Sequence, residues 1–251
     1  MSAITLLTDF GTADYFVGAM KGVILSINPQ AVIADITHEI PAQDVAAGAF
    51  TLLAAYETFP AGTIHVAVVD PGVGSERRPL VVSAGDYLFV GPDNGLFTYV
   101  YDRHSSFAAF HLTETKYFRH PVSNTFHGRD IFAPAAAALS IGIDAASLGP
   151  QISDPIRLPS PIGPQIIHID HFGNLITNIT RDQFTGTRLT VNGRVISAFR
   201  NFFGENVGEP NEPFAIWGSA GYLEIAVNGG SAAEVLRVKR GDQVKTLIHT
   251  D

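Results

Sequence analysis

Polar side chains of complementary chemistry follow the apolar segments in the first half of the chain. Asp9 comes directly after ITLLT, and Asp70 comes directly after TIHVAVV. The glycine-rich turn of DPGVGSERR separates Asp70 from Arg77, and FHGRD places His127 just before a helix-like segment. A guanidinium stabilises negative charge, an imidazole exchanges protons near neutral pH, and a carboxylate can act as a base. These residues are therefore candidates for a reactive site, while a helix cap at Asp9, a structural salt bridge between Asp70 and Arg77, and a surface or core position for His127 are the competing interpretations.

The elements that must position these residues alternate in character along the first half. Short apolar runs typical of strands cover residues 4–8, 31–36, 63–70, 79–85 and 87–92. Helical spacing of apolar residues covers 15–27, 44–59 and 130–142. Strands separated by helices indicate parallel crossover units and therefore a layered α/β sheet. Ligands of such sheets bind beyond the carboxyl ends of the strands, where Asp9 and Asp70 are expected to lie.

A change in composition divides the chain. Residues 149–165 contain five prolines and little periodicity, so they are predicted to link a domain over 1–148 to a second over 166–251. Short β-branched runs follow, and the Asn-Gly pair of VNGR is a strong hairpin signal because it supplies the positive φ angles of a tight turn. The second domain is expected to be a small antiparallel β structure, either a barrel or a sandwich.

Composition limits the possible partners. Sixteen basic and 24 acidic residues give a net charge of −8, which disfavours nucleic acid and anionic membrane surfaces. The chain has no cysteine, so disulfides and zinc–thiolate sites are excluded. No apolar stretch approaches the roughly 20 residues that span a bilayer, and the N-terminus lacks the features of a signal peptide. A cytoplasmic location is therefore expected.

Six segments taken together resemble the S-adenosyl-L-methionine (SAM) hydrolases that form adenosine, the hydroxide adenosyltransferases related to fluorinase and chlorinase. They are TDFGTADYFVGAMKGVI (8–24), VVDPGVGSERR (68–78), GPDNGLF (91–97), FHGRD (126–130), DHFGNLITNI (170–179) and GSAGYLEIAVNGGSAAE (218–234). The resemblance implies an N-terminal Rossmann-like domain, a C-terminal β-barrel and a homotrimer with active sites between subunits. It also implies conversion of SAM and water to adenosine and L-methionine, with no cofactor and no metal.

The residues that this resemblance assigns fall into a catalytic set and a substrate-binding set. The catalytic set is Asp70, Arg77 and His127, which would hold and activate one water molecule; Asp70 is either the base or the residue that orients Arg77. The implied substrate contacts are Asp9 at the ribose hydroxyls, Asn174, Phe203 and Val227 at the adenine, and Asp170, Ser219 and Glu224 toward the methionine end.

Three other functions use the same residues differently. The halogenases of this group carry an inserted loop after the DPGV turn and lack the Arg-His pair; here RRPLVVSAGDYLFVGPDNG leaves no room for the loop, which favours water over halide. A metal-dependent nucleoside or phosphate-ester hydrolase would need an oxygen-rich ion site; its candidate ligands are Asp9, Asp14, Asp70, Asp93, His127 and Asp130. A non-catalytic protein that binds adenosine or SAM is the third alternative.

Overall fold

The computed structural model describes residues 2–205, 209 and 211–247, and it divides into two compact units, Met1–Leu158 and Pro159–Asp251. Parts of the predicted C-terminal domain, at 206–208, 210 and 248–251, lie outside the described residues.

The N-terminal unit contains seven strands and four α-helices among its described residues. The strands are β1 Ala3–Thr8, β2 Val32–Thr37, β3 Ile64–Val68, β4 Pro79–Ala84, β5 Tyr87–Pro92, β6 Phe107–His111 and β7 Gln151–Ile152. The helices are α1 Phe16–Ile27, α2 Val45–Tyr56, α3 Thr98–Arg103 and α4 Ala133–Ser140. A π-helical turn, Gly128–Phe132, and two 3₁₀ turns, Thr115–Tyr117 and Ala145–Leu148, complete the unit.

These strands form one sheet in the order β2-β1-β3-β5-β4-β6-β7. The expected parallel pairing is confirmed for β1 with β2, β1 with β3, and β3 with β5. The pairs of β4 with β5, β4 with β6, and β6 with β7 are antiparallel. Only Gly85 and Asp86 join β4 to β5, and a connection this short closes a hairpin rather than a crossover. The unit is therefore a mixed α/β sheet.

Both faces of the sheet are covered, as the α/β pattern predicts. Ile4 and Leu6 of β1 are fully buried in a core that includes α1 and α4, whereas Leu7 is buried in a second core that includes α2. This alternation arises because successive side chains of a β-strand point to opposite faces of the sheet. The predicted helices at 15–27 and 44–59 are confirmed, and the Asp44 side chain accepts a hydrogen bond from the Ala47 amide as an N-cap.

The third predicted helix, 130–142, is shorter than expected. The π-helical turn occupies its first residues, and α4 begins at Ala133 with Pro134 in its first turn. Proline is tolerated there because the first helical amides have no partner within the helix. The wider turn sets the backbone of the residues that follow His127.

The C-terminal unit has eight strands and one short helix among its described residues. The strands are β8 Ile166–Ile169, β9 Leu175–Thr180, β10 Arg188–Val191, β11 Arg194–Ile196, β12 Phe199–Arg200, β13 Phe214–Trp217, β14 Tyr222–Ala226 and β15 Val244–Leu247, and the helix is α5 Ala232–Leu236. The predicted VNGR hairpin is confirmed: Asn192 and Gly193 have φ angles of 46° and 76° between paired β10 and β11.

The expected closed barrel is not what the described strands form. Their pairing is mostly antiparallel, in a five-stranded sheet β12-β13-β14-β9-β8 and a three-stranded sheet β11-β10-β15, and residues of both sheets share one apolar core. A single bridge, Gln165 with Gln243, joins β8 to the start of β15. One bridge pairs too few residues to close the sheets into a continuous ring.

The proline-rich segment 149–165 is not a single linker between the two units. Its first part carries β7, which pairs with β6, and the division between the two units falls after Leu158. Within the described parts of the chain, no helix is long and apolar enough to cross a lipid bilayer.

Candidate active site

Asp70, Arg77 and His127 form one connected cluster in the N-terminal unit. Arg77 donates from Nε to Oδ1 of Asp70 at 3.1 Å and from Nη2 to Oδ2 of the same carboxylate. Nη2 of Arg77 also lies 2.9 Å from Nδ1 of His127. Because a guanidinium only donates, Nδ1 of His127 is the acceptor, and the proton of the neutral ring is on Nε2.

The turn between Asp70 and Arg77 brings the two side chains together. β3 ends at Val68, and the chain reverses through a turn in which Val73 donates from its amide to the Asp70 carbonyl. Gly74 has a φ of 79°, and a Cβ atom there would collide with the carbonyl of Asn124. Gly74 therefore permits this turn to lie against the segment that leads to His127.

The segment that carries His127 is anchored by Asp130. This carboxylate is fully buried and accepts hydrogen bonds from Arg129, at 2.7 and 2.8 Å, from Arg119 at 3.2 Å and from the Ser123 amide at 2.9 Å. Burial alone would raise the pKa of Asp130, but these donors hold it below its ordinary value. Asp130 is thus an ion-paired structural residue next to the cluster.

Arg77 retains hydrogen-bonding capacity that nothing described in the structure uses. Its side chain is 7% exposed, the ring of Phe132 lies 5.3 Å from its guanidinium carbon, and Nη1 is buried without a partner. A buried donor without a partner is costly, so such a group in a folded protein calls for an explanation. An oxygen-bearing ligand would supply the missing acceptor.

Burial shifts the proton affinity of all three groups. It raises the pKa of Asp70, against the opposing charge of Arg77, and it lowers the pKa of Arg77, against the opposing charge of Asp70. Burial, followed by the positive charge of Arg77, lowers the pKa of His127. His127 is therefore neutral at neutral pH, in agreement with its role as an acceptor from Arg77.

Asp9 lies on the loop after β1, and its Oδ2 accepts a hydrogen bond of 2.8 Å from the Gln43 amide. In the described part of the chain, Oδ1 has no hydrogen-bond donor. Phe10, Phe16 and Phe126 connect the Asp9 loop to the His127 segment, with ring centroids 5.1 to 5.9 Å apart. Sequence analysis did not single out these aromatics, although Phe10 and Phe126 directly flank Asp9 and His127.

A cavity of about 500 Å³ in the C-terminal unit brings together three of the predicted adenine contacts. Its lining is Phe172, Asn174, Phe203, Val227, Asn228, Gly229 and Gly230. Phe172 and Phe203 are 73% and 49% exposed, so two aromatic faces border the cavity. Phe172 was not among the predicted adenine contacts, although it lines this cavity and lies within the DHFGN motif.

The predicted contacts toward the methionine end have contrasting surroundings. Both oxygens of Asp170 are occupied: Oδ1 accepts from the amides of Phe172 and Asn174, and Oδ2 accepts from the Asn174 side chain at 2.8 Å. Glu224 is half-buried against Gly218, and no described residue donates a hydrogen bond to its carboxylate. Burial, reinforced by the charge of Asp170, raises the pKa of Glu224. Ser219 is exposed on the neighbouring turn.

The carboxylates proposed as metal ligands do not assemble. Among the residues that the structure describes, no group of three His, Asp or Glu side chains is placed to hold a metal ion. Asp93 is paired with Arg78, and Asp130 with Arg129 and Arg119. Because these guanidinium groups occupy the carboxylates, the arrangement disfavours the metal-dependent alternative.

Comparison with known proteins covers both units. Residues 4–149 match the SAM hydroxide adenosyltransferase N-terminal domain, and residues 164–245 match the C-terminal domain of the same family. An (R)-S-adenosyl-L-methionine hydrolase from Thermus thermophilus is 39% identical, with 98% of this chain and 100% of the relative covered. A fluorinase from an Actinoplanes species is more distant, at 27% identity over 95% of each chain.

A solved structure supports the same relationship. An uncharacterized conserved protein from Thermotoga maritima superposes with a TM-score of 0.89 at 35% identity, with 96% of this chain and 99% of that chain covered. The matched profiles, the full-length relatives and the shared architecture agree: the chain belongs to the SAM hydroxide adenosyltransferase family.

Proposed function

We propose that the protein hydrolyses (R)-S-adenosyl-L-methionine to adenosine and L-methionine, with Asp70, Arg77 and His127 as its catalytic residues. The observation that carries this proposal is the buried, unpartnered Nη1 of Arg77, held between a carboxylate and a neutral imidazole. The relatives that are 37–39% identical over nearly the whole chain carry the name of this activity, including the (R) configuration at sulfur.

The reaction needs an activated nucleophile more than a general acid. The oxygen of one water molecule forms a bond to the ribose 5′ carbon while the bond from that carbon to sulfur breaks. The electron pair of the broken bond stays on sulfur, so methionine leaves as a neutral thioether, and the water proton passes to solvent. Because hydroxide is scarce at neutral pH, donors that favour the deprotonated water lower the barrier.

The geometry suggests a separate role for each catalytic residue. Arg77 is oriented by the two oxygens of Asp70, which leaves Nη1 to donate to the attacking oxygen. His127 accepts from Arg77 through Nδ1, so it offers the N–H of Nε2 as a second donor. Two donors on one oxygen stabilise its hydroxide-like charge. This assigns Asp70 the orienting role rather than that of the base.

The remaining predicted residues would bind substrate. Asp9, with Oδ1 available, suits the ribose hydroxyls, and the cavity with Asn174, Phe203 and Val227 suits a flat purine between aromatic faces. Glu224 suits the methionine ammonium because it is a carboxylate without a donor of its own. Asp170 would act through Asn174, and Ser219 would contact the methionine carboxylate.

The assembly that we propose follows the family resemblance. The 1–148 domain would serve as a Rossmann-like domain, and the 166–251 domain as a small, mostly antiparallel β domain. The protein would form a homotrimer with its active sites at subunit interfaces. Sedimentation equilibrium should give three times the chain mass of 26.9 kDa; a monomer at that mass would contradict the trimer without touching the chemistry.

Labelled water tests the reaction itself. Pure protein incubated with SAM in ¹⁸O-labelled water should release adenosine with the label in its 5′ hydroxyl and methionine without label. Intact SAM would leave only the binding function, and unlabelled adenosine would exclude attack by water. Formation of 5′-chloro-5′-deoxyadenosine in added chloride would support a halogenase, and loss of activity with a chelator would support a metal-dependent hydrolase.

A further inference from the structure

The loop that carries Asp9 is joined to the loop after β2 by a series of short contacts. The Gly11 amide donates to the His38 carbonyl at 2.8 Å, and the Gln43 amide donates to Asp9 at 2.8 Å. Thr12 donates from its hydroxyl to Glu39 at 3.3 Å. Gln43 has a φ of 65°, which a non-glycine residue adopts only when its surroundings hold it there. The orientation of the Asp9 carboxylate therefore depends on residues 38–43.

His38 lies at the centre of this connection. It is 4% exposed, and its Nδ1 is 2.9 Å from the hydroxyl oxygen of Thr8, the residue immediately before Asp9. The Phe10 amide donates to the same hydroxyl oxygen at 3.2 Å. Nε2 of His38 lies 3.1 Å from Oδ1 of Asp35, close enough for attraction although the ring is not aligned for a hydrogen bond.

Asp35 is itself held in place from the other side. Its Oδ2 accepts from Nζ of Lys21 at 2.6 Å, which connects α1 to the end of β2. A carboxylate can only accept, so its position favours the His38 proton on Nε2. The Thr8 hydroxyl then donates to Nδ1 and accepts from Phe10, and both residues that flank Asp9 are fixed through one imidazole.

We propose that His38 is a positioning residue for the carboxylate of Asp9, and that its imidazole acts through the Thr8 hydroxyl. The proposal rests on the proposed function, in which Asp9 binds the ribose hydroxyls. His38 would then affect nucleoside affinity without contacting the nucleoside. It would have little effect on the chemical step, because Arg77 and His127 lie on other loops.

The same strand supplies a matched control. Thr5 of β1 pairs with His65 of β3, and its hydroxyl oxygen lies 2.7 Å from Nδ1 of His65. His65 is fully buried and stacks on Phe89 at 5.2 Å. Burial lowers the pKa of His65 to about 4, so this ring is neutral at neutral pH. It forms a Thr–His contact on β1, three residues before Thr8, without any contact to the Asp9 loop.

The first experiment compares His38→Leu with His65→Leu by calorimetry with adenosine. His38→Leu should weaken adenosine binding about tenfold, the size of one lost positioning contact, while turnover at saturating SAM stays within about threefold. His38→Asn, whose amide can occupy the place of Nδ1, should restore most of the affinity. His65→Leu should lower the melting temperature and leave affinity unchanged. Equal affinity losses in both leucine variants would overturn the proposal.

The second experiment is a double-mutant cycle with Asp9→Asn. If His38 acts through Asp9, His38→Leu should add less than about twofold to the affinity loss of Asp9→Asn. Fully additive losses would show that His38 acts elsewhere. If Asp9→Asn alone leaves adenosine affinity unchanged, the inference fails, whereas the hydrolysis measured with labelled water stands independently. If His38→Leu does not fold, Thr8→Val tests the same contact, and unchanged affinity there would equally overturn the proposal.

Discussion

Arg77 and Arg78 are neighbours in sequence, yet each belongs to a different cluster of charged side chains. Arg78 donates from Nε to Asp93 at 2.8 Å, from Nη1 to the Asp154 carboxylate at 2.9 Å and from Nη2 to the Asp154 carbonyl at 2.8 Å. Arg77 reaches Asp70 and His127, but its buried Nη1 has no partner among the residues that the structure describes. Arg77 is also the more buried of the two, with 7% of its side chain exposed against 27% for Arg78. Its unused hydrogen-bonding capacity is the feature that supports Arg77 as the proposed catalytic arginine, because a buried salt bridge alone is common in structural clusters.

The clusters also differ in what they connect. Asp93, almost completely buried, accepts from the Ile156 amide at 2.7 Å, so Arg78 and Asp93 hold the 154–156 segment against the end of the central strand β5. The first cluster, that of Arg77, connects the turn after β3 to the segment before the π-helical turn, and the second is that of Arg78. Each guanidinium nitrogen of Arg78 has an acceptor within the described structure, whereas Nη1 of Arg77 would gain an acceptor only when a ligand binds.

Arg77→Lys is the substitution with the largest expected effect. Lysine keeps the positive charge but lacks the planar fork that binds Asp70 and faces His127 at once, so turnover should fall on the order of 100-fold or more. SAM binding, measured by calorimetry, should persist. If Arg77→Lys turns over at the wild-type rate, Arg77 does not take part in the chemistry, and both arginines are structural.

Arg78→Met should change stability instead of catalysis. It leaves the buried Asp93 without its cationic partner, and the free energy of unfolding should fall by about 2 kcal/mol in urea denaturation. Turnover of the folded protein should stay within about threefold. Asp154→Asn is the control: Asp154 is 75% exposed, its carbonyl still accepts from Arg78, and stability should be unchanged within error. A loss of turnover in folded Arg78→Met would contradict the assignment of a structural role to Arg78 and a catalytic role to Arg77.

In the C-terminal unit, two carboxylates differ in the same way as the two arginines: one has its hydrogen-bond partners within the fold, and the other does not. Asp170 uses both oxygens to shape the turn that holds Asn174, whereas Glu224 has no donor from any described residue. Glu224→Gln should therefore weaken SAM binding about tenfold, through loss of a charged contact with the ammonium, and leave adenosine binding unchanged. Calorimetry with both ligands measures this. An equal loss for adenosine would place Glu224 at the nucleoside and not at the methionine end.

Much of the first cluster follows from local pattern. A strand, a glycine-rich turn and seven residues of separation are enough to predict that Asp70 meets Arg77, and the hydrogen bonds confirm the pair. His127 is 50 residues further on, and only the family resemblance connected it to them. Gly74 explains why the turn reaches that segment, but its close approach to Asn124 is a tertiary contact that no local pattern encodes.

The structural charges could not be separated from functional ones by sequence. Asp93 and Asp130 were candidates for a metal site because both are acidic residues near predicted strand ends or helix starts. Their partners decide otherwise: Arg129 is adjacent to Asp130, but Asp154 is 76 residues from Arg78. The predicted strands 79–85 and 87–92 are too close together for a crossover helix, yet only parallel units are predicted for this half of the chain, and the antiparallel pair is a finding of the structure. Phe172 was visible in the sequence, within DHFGN.

The smallest expected effect is the response to mild acid. Burial and the charge of Arg77 lower the pKa of His127 from its ordinary value of 6.5, so the neutral ring that accepts from Arg77 persists at pH 6.5. Turnover should then change less than about twofold from pH 7.5 to 6.5 and fall only as pH drops through the lower pKa, where protonation of Nδ1 ends the acceptance from Arg77. Nitrogen NMR of the imidazole should show the proton on Nε2.

The second cluster provides the control for this pH dependence. Burial, followed by the charge of Arg78, also lowers the pKa of His111. His111→Gln should leave the acid limb of turnover where it is, because the charge that acts on His111 is that of Arg78, and each guanidinium nitrogen of Arg78 already has an acceptor. If the acid limb moves with His111, or if the NMR signal assigns the proton to Nδ1 of His127, then Arg77 is not held by an accepting imidazole. The difference between the neighbouring arginines would then reduce to burial alone.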